Sequence, residues 1–293
     1  MKYLPFLLNM IYLLFCIFSS SMIYVIFKIA KRYNTELSTL ITYNYLSATI
    51  LGLILFRPFN SVSFENTIGW LPFGIILGVL FILIFYLIGT SSQKAGITIT
   101  TLANKLSLVF PVLFSIIFFS EQVSAIKYVG IATATIAVLL TVYKKDVKKT
   151  NRIYLILPVL IFFGSGLVDS IVKFVQAVKI SDQETPLYTI TVFLVAFICG
   201  SFVTLIGKNK RYTLHYPTIL FGALLGLANF GSLYFIIRAL NNSRLDSSLV
   251  FALNNMSVVA FTAIIGTLIF KEKMNKINFA GILLAILSLY FLL

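Results

Sequence analysis

Ten apolar runs, most about 20 residues long, divide this chain, and none keeps the two-residue alternation of a half-buried strand. Backbone N–H and C=O groups in hydrocarbon find no water, so a spanning chain must satisfy them internally, as a helix or a closed barrel. Runs of roughly 18 to 22 residues match the ~30 Å hydrocarbon layer at about 1.5 Å per helical residue. The expectation is an all-α integral membrane protein with ten transmembrane helices, at about 5–27, 37–56, 69–89, 97–119, 124–143, 153–175, 187–207, 216–237, 247–270 and 276–293. Composition agrees, since 59% of the 293 residues are hydrophobic and 11% are charged, against roughly 25% charged in soluble domains. The first run is too long for a secretory leader and no small-residue cleavage site follows it, so it is expected to be a retained helix.

The formal net charge is +14. In a soluble chain that excess would point to nucleic acid. Here most basic residues stand between apolar runs, where they set topology and meet lipid headgroups, and nucleic acid is not an expected partner. The N-terminal end and the even-numbered loops carry seven Lys and Arg, and the odd-numbered loops carry fifteen. The positive-inside rule then puts the odd loops in the cytoplasm and both termini outside. Cys16 and Cys199 lie inside apolar runs and His215 is the single histidine, so neither a metal centre, a cofactor nor a disulfide framework is expected.

The chain also repeats itself. Glu121 is followed nine residues later by Gly130, and Glu272 by Gly281, each time across the start of an apolar run. Tracing back from there, Asn104 matches Asn255. Gly74, Gly78 and Tyr86 match Gly222, Gly226 and Tyr234, and Glu36, Ala48 and Gly52 match Glu184, Ala196 and Gly200. Lys28, trailing the small residues Ser19-Ser20-Ser21, matches Lys173, trailing Gly164-Ser165-Gly166. The register drifts by only a few residues, as small loop insertions would cause. Two five-helix halves are therefore expected, residues 1–143 and 153–293, joined by a basic linker over 144–152. Five is odd, so the second half enters the membrane in the opposite sense, as an inverted repeat. Transporters built this way bind their substrate near the midplane, where the halves meet.

The doubled glutamate-to-glycine segment, the paired first and sixth runs and the two-by-five layout together resemble the drug/metabolite transporter superfamily, most closely its EamA type with ten helices. That resemblance implies secondary transport of small metabolites or drugs, often export of amino acids or related compounds. It also implies a cavity lined mainly by the first, third, fourth, sixth, eighth and ninth helices, and both termini in the cytoplasm. The chain departs from the pattern in places. Phe18-Ser19-Ser20 stands where Trp-Gly-Ser is usual, Asn44-Tyr45 where Arg-Phe is frequent, and Val258 or Val259 where the ninth helix commonly has proline; Pro111 keeps the proline of the fourth.

Several polar residues within the runs are candidates for a site. Lys105 lies about eight residues into the fourth run, where an ammonium costs several kcal/mol unless it is paired, snorkels or faces water. It is read as an anion- or carboxylate-binding group, or as a snorkelling lysine. Asn104 beside it, Asn254, Asn255 and Asn229 supply amides that hold a polar substrate or join helices. Ser20 and the tyrosines Tyr24, Tyr86 and Tyr234 complete the candidate substrate contacts. Asp169 and Lys173 share a helix face at i and i+4, as a neutralising pair or as a group for proton coupling. Arg238 and Asp246 flank the turn between the eighth and ninth runs and could pair as a gate. Glu121 and Glu272 are read as framework residues complementing the dipoles of the helices that follow them.

The expected function is a secondary active transporter, an exporter of small metabolites in the inner membrane of a bacterium, and not an enzyme. The competing classes are a membrane scaffold without transport and an integral-membrane enzyme acting on lipid, though the chain has no nucleophile motif and no phosphate-binding loop.

Overall fold

The computed structural model describes residues 4–57, 68–118, 124–142, 153–180, 184–206, 215–242 and 247–292. The linker 144–152, Glu121 and Asp246 lie outside the described residues. Among the described residues all regular structure is helical. Helix α1 (Leu4–Ala30) ends in a 3-10 turn (Lys31–Tyr33), and α2 (Leu37–Phe56) and α3 (Leu71–Lys94) follow. Next come α4 (Ile97–Leu106), α5 (Val109–Phe118), α6 (Ala125–Val142) and α7 (Ile153–Val178). The chain continues through α8 (Thr185–Ile206), α9 (Tyr216–Asn242), α10 (Ser247–Leu268) and α11 (Lys276–Leu292). Among the described residues seven stretches are long and apolar enough to cross a membrane, with α4 and α5 together forming one of them; α6, α10 and α11 contain shorter apolar segments. This is an all-helical membrane protein.

The fourth run is not the single helix expected. Pro111 has no N–H, so the Ser107 carbonyl loses its partner four residues on. The Phe110 amide takes that carbonyl instead, at 2.9 Å, in a tighter turn, and Val112 N–H to Leu108 C=O resumes the ladder at 3.3 Å. The result is a break between α4 and α5, centred on Ser107 and Leu108.

Two-faced helices explain the packing. On α1, Ile11, Leu14, Phe15 and Phe18 form an exposed stripe, while Cys16, Ser20, Tyr24 and Phe27 are buried on the other side. On α8 the exposed stripe includes Ile198, Phe202 and Leu205, and Tyr188, Val192 and Ala196 are buried. Exposed apolar stripes on this scale suit lipid, not water. The buried faces meet across the chain: α1 lies against α9 and α10, α2 against α8 and α9, α3 against α7 and α8, α4 against α7 and α10, and α6 against α11. One core joins them, with Phe27, Leu40, Tyr45, Leu102, Leu106, Ile161, Phe193, Leu225, Val258 and Leu289 among its members.

Close crossings use glycine. A Cβ on Gly226 would lie 2.6 Å from the Asn44 carbonyl oxygen and 2.6 Å from Ser47 Cβ, so α9 and α2 touch almost backbone to backbone. Gly78 does the same for α3 on α8, where a Cβ would meet Val195 at 2.6 Å. Gly74, one turn away, leaves 3.7 Å to its nearest neighbour. Helix ends are capped by side chains. Asn275 and Asn278 close the start of α11 reciprocally, each carboxamide oxygen accepting from the other's amide N–H, at 2.7 and 3.0 Å. Glu36 opens α2 by accepting from the Ser38 and Thr39 amides at 3.1 and 2.6 Å, and from both hydroxyls.

Gly226→Ala should lower the melting temperature, by overpacking worth about 1–3 kcal/mol, while Gly74→Ala should be tolerated or slightly stabilising; parallel melts of the two variants check this. Burial pushes the Glu36 carboxyl up, but the hydrogen bonds from Ser38 and Thr39 outweigh it and hold the group below its ordinary value. A depressed folded-state value means that the stabilisation is present above the unfolded value and is lost as pH falls through the folded one. Glu36→Gln should therefore be less stable near neutrality, by about 0.5–2 kcal/mol, with the difference from the parent shrinking below roughly pH 4. Melts across pH read it.

Candidate functional site

The break between α4 and α5 is where the intramembrane polar groups gather. Tyr24 on α1 donates its hydroxyl to Asn104 Oδ1 at 3.0 Å, and Asn104 Nδ2 donates to Ser165 Oγ on α7 at 2.8 Å. Ser107, inside the break, has two acceptors in reach of its one hydroxyl proton, the Asn104 carbonyl and, at 3.0 Å, Asp169 Oδ2. Ser165 sits at the middle of α7, Tyr24 in the last third of α1 and Asn104 in the last turn of α4, so the cluster gathers around the break itself. Tyr24 and Ser165 are buried, at 4% exposure each. Together they make a hydrogen-bonded wall whose polar atoms largely satisfy one another.

Two opposite charges stand beside that wall. Asp169 is exposed, and it lies one turn from the buried Ser165 on the same face of α7. Lys105, in the last turn of α4, is half-buried. The broken helix favours both. Lys105 stands at the C-terminal end of α4, where the helix dipole is negative, and Asp169 meets the N-terminal approach of α5, where it is positive. Asp169 is thus held from the broken helix and not along its own. The pair expected between Asp169 and Lys173, one turn apart on α7, is not among the ion pairs of the described residues; Asp169 accepts from Ser107 of the broken helix.

The other expected residues scatter around this centre. Cys16 Sγ donates to the Ser232 carbonyl on α9 at 3.2 Å and lies 3.9 Å from Ser20 Oγ. Asn229 on α9 donates to Asn44 on α2 at 3.3 Å, a helix-joining amide pair. Asn254 and Asn255 on α10 are buried and in contact with each other at 3.4 Å, and Asn254 Oδ1 has no partner. Tyr234 packs against Phe56 and Phe230, with Arg238 over its ring at 5.3 Å and bonded to its hydroxyl at 3.1 Å. The gate imagined between Arg238 and Asp246 therefore has only its arginine among the described residues. Tyr86 does not belong to the cluster, since it lies on the exposed stripe of α3 with Ile76, Val79 and Leu83.

A second polar centre closes one end of the bundle. Past α10, Lys271 takes a left-handed conformation (φ 51°), and the Glu272 amide bonds back to the Gly266 carbonyl at 2.9 Å. This turn aims the Glu272 carboxylate at the start of α4, where it accepts from the Ile97 and Thr98 amides at 2.7 and 3.3 Å. Lys28 of α1 donates to the same carboxylate at 3.3 Å. The two side chains are 22% and 12% exposed, so water screens the ion pair far less than it would at an open surface. Gly96 adopts φ 117° and Gly266 packs close by, and a Cβ on either would fall within 2.9 Å of the carboxylate. Glu272 therefore complements the dipole of α4, not that of the helix that follows it, which Asn275 and Asn278 cap. Assigning Glu272 to the dipole of the helix that follows it missed this clasp. Its signal was present in the sequence: a lysine and a glutamate that recur together in both halves.

Among the described residues no group of three or more His, Cys, Asp or Glu side chains could hold a metal ion. No family model matches the chain. It is 30% identical over 289 residues to an uncharacterized protein of Haemophilus influenzae (strain ATCC 51907 / DSM 11121 / KW20 / Rd), covering 96% of this chain and 97% of that one. Identity at that level over nearly both whole lengths places the two in one family, and this chain belongs to the family of the Haemophilus influenzae protein.

Glu272→Ala removes a carboxylate that serves two amides and an ammonium. It should destabilise the protein by roughly 1–3 kcal/mol. Combined with Lys28→Met, the loss should be smaller than the sum of the single losses by at least about 0.5 kcal/mol. A double-mutant cycle measured by melting tests the coupling.

Proposed function

We propose that the protein is a secondary active transporter that exports a small metabolite across the inner membrane of a bacterium. The observation that carries this is that a broken helix among apolar helices holds Lys105 at its first half and bonds Asp169 of α7 through Ser107 in the break. Ionisable groups in such a place face a cavity or pathway, because lipid would not tolerate them. A scaffold gains nothing from charges that are not directly paired. That the relative comes from a bacterium supports the location.

The reading takes α4 and α5 as one interrupted span and the chain as two inverted repeats of five spans. Packing supports it. If each helix of the first half is exchanged for its repeat counterpart, α1 on α9 becomes α7 on α3, α2 on α9 becomes α8 on α3, and α4 on α7 becomes α10 on α1, all of them observed contacts. Interrupted spans that meet at a repeat interface suit a midplane site. In this scheme Lys28, Glu272 and the start of α4 close one side of the cleft. This clasp opens and closes as the site faces each side in turn.

Purified protein in proteoliposomes should move at least one solute from a broad metabolite panel down its gradient, and an imposed proton gradient should alter the rate. Asp169→Asn should abolish the proton dependence while the protein stays folded. The titratable groups around that position, Tyr24, Lys105 and Cys16, are unchanged in this variant. A panel in which nothing moves would rule out transport. A variant with the parent's pH profile would leave Asp169 as a positioning residue.

A further inference from the structure

The corner that Glu272 closes is crowded with like charge. Lys28, Lys31 and Arg32 stand at the end of α1 and in its 3-10 turn, Lys94 ends α3, and Lys271, Lys273 and Lys276 follow α10. Across residues 28–37, 93–98 and 268–278 there are thus seven basic side chains against two carboxylates, Glu36 and Glu272. Both carboxylates are engaged. Glu36 holds the Ser38 and Thr39 amides, and Glu272 holds Lys28 and the start of α4. Contacts across the corner bring the cations together. Lys31 donates to the Gln93 carbonyl at 3.1 Å, next to Lys94, and the Arg32 guanidinium lies over the Phe270 ring at 5.5 Å, next to Lys271. Arg32, Lys94, Lys271 and Lys273 are exposed, and none of them has an ion-pair partner among the described residues. Closing the clasp therefore sets the cations of α1 against those flanking Glu272, and one glutamate does not neutralise them.

We propose that the headgroup phosphate of an anionic phospholipid seats between Arg32 and Lys271, bridging the end of α1 to the end of α10, and holds the Glu272 clasp shut. This rests on the transport reading for its role, because that reading has the clasp open and close; the binding stands on the geometry. A phosphate suits the place, since a guanidinium presents a planar fork to its oxygens and an ammonium adds a point charge. The neighbouring apolar surface selects a lipid over a free ion. Phe261, Ile264 and Leu268 recur along one exposed face of α10, and Ile269 continues it to Phe270 and the basic corner. Acyl chains lie along that stripe while the phosphate sits at its end. A free anion gains nothing from the stripe. A zwitterionic headgroup brings a positive charge of its own and relieves the crowding less.

The test uses the full chain in nanodiscs of phosphatidylcholine, alone or mixed with phosphatidylglycerol of the same acyl chains. Hydrogen exchange at Ile97 and Thr98, whose amides are bonded to Glu272, reads whether the clasp is shut. Phosphatidylglycerol should slow that exchange by at least about fivefold, the factor that one basic residue near an anionic surface supplies, and added salt should shrink the difference. Arg32→Gln combined with Lys271→Gln should lose most of the slowing. Lys179→Gln, at the opposite end of the bundle over the Phe73 ring, should keep it. Inorganic phosphate added to phosphatidylcholine discs serves as the free-ion arm. Equal exchange in the two lipids, slowing by inorganic phosphate alone, or slowing retained in the double variant overturns the proposal. The contrast between the lipids in the parent protein decides the matter even if a variant fails to fold. Flux separates it from the transport reading. Lipid-dependent exchange without movement of any solute supports the lock and removes the transporter; movement of solutes with exchange indifferent to lipid keeps the transporter and removes the lock.

Discussion

A bilayer gives no partner to a free backbone group, and the arrangement of this chain follows from that. Helices satisfy themselves, so the apolar runs become helices. A break in a helix is tolerable only where something else takes up the freed groups. The break between α4 and α5 meets that condition through its own turn: the Phe110 amide and the Ser107 hydroxyl take the carbonyls of Ser107 and Asn104. Having opened there, the chain presents Asn104, Lys105 and Ser107 to neighbouring helices at a depth where polar groups are otherwise costly. The polar cluster and the broken helix are thus one feature, each making the other affordable.

The clasp at Glu272 is the same constraint applied at a helix end. The first amides of α4 have no partners within their helix. A carboxylate from the far end of the chain supplies them, and Lys28 neutralises it. Three segments distant in sequence meet at one side chain. Gly96 and Gly266 leave just enough space for it, so the contact ties α1, α4 and the end of α10 into one rigid corner. A corner held by a few polar contacts of modest individual strength is also one that can open, unlike the apolar crossings at Gly78 and Gly226.

Much of this was legible without coordinates. The helical class and the membrane setting follow from run length and the scarcity of charge, and the observed helices start and end within a few residues of most of the expected runs. Lys105, Asn104, Asp169 and Tyr24, singled out one at a time for being polar or hydroxyl-bearing at depth, gather at one place. Other assignments did not hold. Tyr86 was selected by its match to Tyr234, but an internal repeat carries over position and not which face meets lipid. The pairing of Asp169 with Lys173 followed from spacing along one helix, while the hydroxyl that Asp169 accepts from arrives from another segment. The break at Ser107 was signalled by Pro111, whose effect on hydrogen bonding depends on whether neighbouring groups can absorb the loss.

By itself the sequence determined that the chain is helical, that it lives in lipid, and that a handful of polar residues lie at depth. These are local matters: apolar length, backbone self-satisfaction, and the price of an ionisable group in hydrocarbon. Only the tertiary structure decided which of those residues meet. The neighbours of Asp169 and of Glu272 lie 62 and 175 residues away along the chain. No periodicity encodes such distances, because they are set by how lipid-facing stripes and glycine crossings orient each helix against the others.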